Sequence, residues 1–578
     1  MPLDPIDNPL THQQINSPTQ NASRNRVPII YETLRESLQT PGGVGATLEE
    51  RTYAAKIIAK NGYTDWIELG MPANSVDKEI IRHISGELNR GEFAANRVGI
   101  AVLARANNSD IDAAWDVMRA HPKSLCHVFI GTSDEHRRIR FNGAKSKSEY
   151  CADISAAVRR ASGNGFSRVM FSPEDAMRTF SQDEKFFYDV IEAARLGYLG
   201  GFGESGFVRD EPLIINLPDT TGVSTTSEFL SMLSAVNKRY EQNSWDPITN
   251  SIEISIHSHN DSGHSMSHAM EAARYGLATW IQTCFGGLGE RNGITSTESL
   301  LAQLDERGIR VLSDDARKLL VPNTHAILAA LGREISAEAS VSGVYTNITA
   351  SGIHADLTNK SSVAYHARGS RYGAMPQNEF GPTSGAGQVV CALSQIGISR
   401  TKEQVAAFTN ALKAESNNRK CPISDSRIVA AYIEREFGQV SPMQVSCRRL
   451  IVDDTSHFEM RGTMYDAPFV VEKSGNGDYR LVIDAIREVV GAHGHDLSFG
   501  DLRVRLVPII PARYLASGEV PSALDLDSRM AATTSFTSPK LPFVARATHV
   551  SEHSMLAMMQ SAIDAAADAV LIENYLRT

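Results

Sequence analysis

Short apolar or β-branched runs alternate with longer helical stretches from about residue 27 to 310, and the alternation repeats eight times. VPII leads into TLEERTYAAKIIAKNG, DWIELG into KEIIRHISGELNRG, GIAVLAR into DIDAAWDVMRAH, and CHVFIG into KSEYCADISAAVRRASGNG. SRVMFS, PLIINLP, SIEISIHSH and TWIQTCFGG each head a further unit of the same kind. Strands that alternate with helices pair in parallel, and the helices cover the sheet. Eight such units predict an α/β chain built on a closed (β/α)8 barrel. An open doubly wound sheet is the alternative, but no GxGxxG follows a strand to support it.

At 578 residues the chain exceeds one ordinary core, so further domains are expected beside the barrel. Residues 1–26 are polar and rich in Pro, Asn and Gln, and read as a flexible arm without the apolar centre of a signal peptide. The barrel is assigned to 27–310. Residues 311–446 break its rhythm with a Gly-, Ser- and Asn-rich stretch followed by helices, and are read as linker subdomains. Residues 447–578 read as a separate α+β domain with an approximate strand-strand-helix repeat. The formal net charge of -10, with no long basic run, argues against nucleic acid. No stretch approaches the roughly 20 apolar residues of a membrane helix. The six cysteines are scattered with no CxxC pair, which fits reduced thiols in a cytoplasm.

A barrel of this kind carries its site at the C-terminal ends of the strands. Six of the eight ends are polar: Arg35, Glu36 and Gln39; Glu68; Ser172, Glu174 and Asp175; Asp219 and Thr220; His257, His259, Asn260 and Asp261; Glu290, Arg291 and Asn292. IHSHND is the most informative. Residues two apart on a strand point the same way, so His257 and His259 can grip one ion. Glu36 stands on strand one, which neighbours strand eight in a closed barrel. It completes a facial two-imidazole, one-carboxylate set with open positions.

The pieces ETLRESLQTPG, IELGMP, HVFIGTSDEH, FSPEDA, LPDTTG, HSHNDSG and GLGERNG together resemble the metal-dependent barrel family of 2-isopropylmalate, homocitrate and citramalate synthases and 3-hydroxy-3-methylglutaryl-CoA lyase. The resemblance covers most of residues 27 to 300. It implies a divalent cation (Mg2+, Mn2+ or Zn2+), a 2-oxo acid and acetyl-CoA, joined by a Claisen-type condensation that releases CoA. It implies that Arg35 stabilises the developing oxyanion and that Glu174 handles the substrate proton or positions water. Thr220 and Gln39 are expected to contact substrate, and Ser172, Glu290 and Arg291 complete the expected substrate-binding set. His354 in SGIHAD and Tyr372 in YGAMPQNEFG match a His and a Tyr that serve the partner subunit's site in a homodimer, with Tyr365 as the alternative tyrosine. This segment favours condensation over lyase chemistry. FVVEKSGNGDYRLVIDAIREVV resembles a leucine-sensing regulatory domain, with Asp478 where the family has Pro, and the resemblance implies a small-molecule effector there.

Departures from the family pattern divide. Glu36 and Ile294 resemble homocitrate synthases, whereas the GMP after strand two, Ser255, Met170 and the C-terminal domain resemble isopropylmalate synthases. The loss of a buried cation at 170 weakens the case for 2-oxoglutarate, whose second carboxylate needs one.

Overall fold

The computed structural model describes residues 27–43, 46–90, 98–141, 145–205, 211–241, 252–351, 354, 357, 368–374, 377–419, 422–451, 456–475, 477–509, 527–542, 544–551 and 554–577. Strands β1 (Ile29–Glu32), β2 (Trp66–Glu68), β3 (Gly99–Arg105), β4 (Ser124–Gly131), β5 (Arg168–Glu174), β6 (Leu213–Asp219), β7 (Ile252–Ser258) and β8 (Trp280–Thr283) close in chain order into one barrel. All neighbours are parallel, and β1 pairs with β8 from Ile29 opposite Trp280 to Glu32 opposite Thr283. The expected (β/α)8 architecture is what forms. Helices after each strand bury their apolar stripes against the outside of the sheet, so the strands are covered on both faces and read as nearly continuous apolar runs. Local signals agree with this. Thr47 and Glu50 make a reciprocal capping box at the helix Leu48–Lys60, and Ser146 and Glu149 make another at Lys147–Asn164.

Large side chains plug the barrel interior: Tyr31, Trp66, Leu125, Met170, Ile214 and Trp280 form one buried cluster. The Trp66 and Trp280 rings lie 5.7 Å apart. Gly99 makes room for this plug, because a Cβ there would stand 2.3 Å from the Trp66 ring.

The seam is tied by Glu32, which is fully buried. Its carboxyl accepts from Phe285 N at 3.0 Å and from the Thr297 hydroxyl at 2.5 Å. Burial pushes this carboxyl up to about 8, against the pull of those two hydrogen bonds. A folded-state pKa above the unfolded one gives stability that is full below the unfolded value and is lost as pH rises through about 8. The melting temperature of the protein is therefore expected to fall between pH 6 and pH 9, and Glu32→Gln is expected to flatten that slope. A slope unchanged in the variant would show that Glu32 does not titrate in this range.

The molecule divides into two compact units, 1–346 with 371–374 and 347–370 with 375–578. The first unit extends past the boundary expected at 310. Its helix Asp314–Ala330 packs on the barrel, with the Tyr63 hydroxyl donating to Ala316 O at 2.9 Å.

In the second unit, β9 (Ile348–Thr349), β10 (Gln377–Phe380) and β11 (Ile423–Ser424) make a small sheet. Strands β12 (Met443–Ile451), β13 (Ser456–Met464) and β14 (Ala467–Gly475) form an antiparallel sheet followed by the helix Asp478–Ala492. Strands β15 (Ser498–Ile509), β16 (Asp527–Thr537) and β17 (Ala545–Ser551) repeat the pattern before the helix Ser554–Arg577. The repeat is thus three strands and a helix, one strand more than expected. One apolar cluster runs from Phe380 and Val429 to Val482 and Ile572, so residues on both sides of 446 share a core.

Candidate functional site

Plug residues have successors two or four positions further along their strands, and these rise to the C-terminal mouth. Leu125 is followed by His127 and Phe129, Met170 by Ser172 and Glu174, Ile214 by Asn216 and Pro218, and Trp280 by Gln282. These residues, with Leu103, Thr220, His257 and His259, line a cavity of about 300 Å³ that also receives Arg35, Glu36, Gln39, Glu290 and Arg291. The structure therefore brings together ten of the twelve residues expected to form the site.

Glu36, His257 and His259 converge with one ligand atom each inside 4.8 Å, and all three are buried. The two Nε2 atoms lie 3.3 Å apart. His257 Nδ1 is 2.8 Å from Gln282 Oε1, and the Gln282 amide nitrogen donates to Met170 Sδ at 3.2 Å. The glutamine oxygen can only accept, so His257 carries its proton on Nδ1 and leaves Nε2 as a lone pair. Burial lowers the pKa of both imidazoles, that of His259 to about 4 with His257 beside it adding to the effect. Burial alone would raise the Glu36 carboxyl, but the Arg35 guanidinium beside it outweighs this and holds it below the usual range. Two neutral imidazoles and one ionised carboxylate, deprotonated and facing one point, are the donor set a divalent cation requires. The residues fit such an ion. Ile294 is buried and bridges to His259 through backbone only, so it supplies no fourth side-chain ligand. The loop after β8 approaches Glu36 at Gly289, where an added Cβ would stand 3.0 Å from the Glu36 side chain, and it folds back on itself at Gly293, φ 75°, where a Cβ would collide with Gly287 O.

Arg35 sits between two carboxylates. It reaches Glu68 Oε1 at 2.7 Å from Nε and pairs with Glu36 through Nη1, while donating to Gln39 Oε1 at 3.1 Å. Glu68 is fully buried and also accepts from the Tyr31 hydroxyl at 2.6 Å and from His127 Nδ1 at 2.7 Å. Burial would raise the Glu68 carboxyl, yet Arg35 and His127 keep it well below the usual carboxylate range. His127 Nε2 then meets the Ser172 hydroxyl at 2.6 Å, and Asn216 donates to the same hydroxyl at 2.7 Å. His127, Asn216 and Gln282 stand outside the expected set. Their polar side chains are embedded in apolar strand sequence, and only the two-residue parity of the strands marks them as facing inward.

Thr220 Oγ1 accepts from Asp175 N at 2.9 Å, which leaves its proton to donate into the cavity. Glu174 ends β5 and faces the same space. Glu290 N points at Glu36 Oε1 at 3.4 Å. Arg291 adopts φ 55° and ties three loops, holding Asp261 at 2.7 and 2.9 Å and Thr220 O at 2.7 Å. Its guanidinium is thus mainly a brace for the mouth.

Two expected residues fall elsewhere. Tyr372 is fully buried in the barrel unit, its hydroxyl donating to Ala302 O at 2.9 Å with Asp305 Oδ2 at 3.1 Å. Close packing against the helix Thr297–Glu306 holds it there. His354 belongs to the second unit and is exposed, and Tyr365 lies outside the described residues.

Residues 26–331 match the HMGL-like family model. A 2-isopropylmalate synthase of Sediminispirochaeta smaragdinae is 30% identical over 66% of this chain and 70% of its own length. One of Prochlorococcus marinus strain MIT 9515 is 30% identical over 73% of this chain and 75% of its own. A solved HMG-CoA lyase from Brucella melitensis aligns at 18% identity over 53% of this chain and 99% of its own, with a TM-score of 0.38, a likeness too slight to carry an argument. On the matching barrel segment and the coverage of these synthases, the chain belongs to the HMGL-like family and, within it, to the 2-isopropylmalate synthase and homocitrate synthase group.

Proposed function

We propose that this chain is an acyltransferase that condenses acetyl-CoA with an apolar 2-oxo acid to give a 2-alkylmalate. In balance, acetyl-CoA, the 2-oxo acid and water yield the 2-substituted malate and CoA thiol. One carbon-carbon bond forms between the acetyl methyl carbon and the keto carbon, and the thioester is hydrolysed. The observation that carries the substrate class is the cavity wall. Leu103, Phe129 and Pro218 present an apolar face beside the ligand triad. Among the described residues lining the cavity, the arginines are Arg35 and Arg291, and both already face carboxylates. A second substrate carboxylate would find no cation of its own, so 2-oxoglutarate is disfavoured despite the homocitrate-synthase-like Glu36.

Glu36, His257 and His259 would hold a divalent cation, which when bound supplies Lewis-acid polarisation of the 2-oxo group. Arg35, fixed by Glu68, is aimed to stabilise negative charge developing on oxygen. Thr220 and the Ser172–His127–Asn216 group offer hydrogen bonds to the substrate carboxylate and hydroxyl. Glu174 is assigned the methyl proton or the hydrolytic water. The enzyme is read as a cytoplasmic homodimer in which His354 assists the neighbouring site, with an effector acting on the C-terminal domain.

The test is release of CoA thiol from acetyl-CoA across a panel of 2-oxo acids. Turnover is expected with 2-oxo-3-methylbutanoate, at least about tenfold faster in kcat/KM than with 2-oxoglutarate, the discrimination that roughly 1.4 kcal/mol supplies. The reverse preference would assign the homocitrate branch, and no release with any acid would remove the condensation reading.

A further inference from the structure

Outside the ligand triad, a chain of hydrogen bonds runs from a buried carboxylate to the cavity wall. Glu68 is fully buried, and His127, Ser172 and Asn216 line the cavity. Against its burial, Arg35 and His127 hold the Glu68 carboxyl well below the usual carboxylate range, so its oxygens only accept. His127 Nδ1, 2.7 Å from Glu68 Oε2, therefore carries a proton, and in the neutral imidazole Nε2 keeps the lone pair. The Ser172 hydroxyl, 2.6 Å away, donates to that lone pair, while Asn216 Nδ2 donates to Ser172 Oγ at 2.7 Å. A carboxylate that fixes an imidazole, which in turn accepts from a hydroxyl, gives the hydroxyl oxygen a path for passing a proton on.

Two acceptor positions are left over. Ser172 Oγ has one lone pair beyond the one that accepts from Asn216. Asn216 is only 2% exposed, and its Oδ1 makes no hydrogen bond within the described structure. A buried amide oxygen without a donor is an unfavourable arrangement, and a water held between two acceptors relieves it. We propose that Ser172 Oγ and Asn216 Oδ1 hold the water that hydrolyses the thioester, with His127 taking its proton through Ser172 and Glu68 as the positioning residue behind His127. With both protons engaged, such a water presents its lone pairs to the carbonyl.

The water oxygen bonds to the thioester carbonyl carbon of the 2-alkylmalyl-CoA, and the carbon-sulfur bond breaks. One water proton passes to Ser172 Oγ as the Ser172 proton passes to His127 Nε2, and the imidazolium so formed faces the ionised Glu68. The same path returns that proton to the CoA sulfur, and the second water proton leaves with the carboxylic acid. A hydroxyl relay suits an O–H acid, whereas a methyl C–H needs a direct base, so the methyl proton is left to Glu174. The inference rests on the condensation proposed above.

The experiment gives full-length protein acetyl-CoA and 2-oxo-3-methylbutanoate, follows CoA thiol, and measures acyl-CoA species by mass spectrometry after acid quench. Ser172→Ala is expected to slow CoA release about 10²-fold or more while the alkylmalyl thioester accumulates. Asn216→Leu keeps the volume, removes the second water contact and is expected to accumulate the same thioester, which serves should Ser172→Ala fail to fold. Glu68→Gln is expected to shift the same partition between thioester and free acid, which a merely structural loss would leave unchanged. CoA release and thioester formation falling together in all three variants, or hydrolysis at the parent rate, would overturn the inference while leaving the condensation reading intact. No alkylmalate from the parent protein would overturn that reading and the inference with it.

Discussion

Replacing His257 with alanine is expected to abolish both cation binding and condensation. The imidazole is one of three ligand atoms that meet at one point, and its Nε2 lies 3.3 Å from that of His259. Removing it leaves Glu36 and His259, too few donors to hold a divalent ion against water at the mouth of the barrel. A Lewis acid contributes several kcal/mol to stabilising charge at a carbonyl, so CoA release is expected to fall by about 10³-fold or more. The metal content of purified protein, measured by elemental analysis, should drop from near one ion per chain to background. Added Mg2+, Mn2+ or Zn2+ should raise the melting temperature of the parent protein but not of the variant. The fold should survive, because the lost ring lies at the cavity and not in the apolar plug beneath it. Gln282→Ala offers a graded companion. It frees the His257 tautomer without removing a ligand, and a loss of about 10–100-fold in metal affinity is expected. A His257→Ala protein that keeps its ion, or condenses at the parent rate, would move the metal centre elsewhere.

Much of this site is legible in the sequence because a strand imposes a two-residue period. That rule alone places His257 and His259 on one side, and strand closure puts Glu36 beside them. The same rule, applied from the plug residues upward, leads from Leu125 to His127 and Phe129 and from Ile214 to Asn216 and Pro218. Those residues are hard to find without knowing which side chains form the plug. CHVFIG and PLIINLP read as apolar strands, and one polar residue in such a run carries no local sign of where it faces. Tyr372 illustrates a placement that the sequence does not report. Its sequence context matches the expected assisting tyrosine, but its placement depends on Ala302 and Asp305, about 70 residues earlier in the chain, and no local pattern reports such a contact. The third strand of each C-terminal repeat is hidden for a related reason. MQVSCRRLI and ARATHVS alternate weakly, and only antiparallel pairing with β13 and β16 makes them strands.

Arg35→Ala is expected to give the second large effect, with a signature distinct from loss of the ion. The guanidinium lies between Glu36 and Glu68, which are 2% and 0% exposed. Taking it away removes the group proposed to face the developing oxyanion, and loss of one such donor costs about 10²–10³-fold in kcat. It also strands two buried carboxylates near one another, and breaking a buried pair from one side costs about 3–5 kcal/mol of stability. The urea midpoint should fall accordingly. Metal content should be retained, because Glu36, His257 and His259 are all still present. Arg35→Lys keeps the charge but not the fork that serves Glu68 through Nε and Glu36 through a second nitrogen, so it should recover stability more fully than rate. Adding Glu68→Gln to Arg35→Ala neutralises one of the stranded carboxylates and should restore part of the lost stability without restoring turnover. That separation is the decisive outcome. If the double variant regained activity together with stability, Arg35 would be a scaffold for the barrel mouth, and the oxyanion would have to be met by another group, with His127 and Thr220 candidates along the same cavity wall.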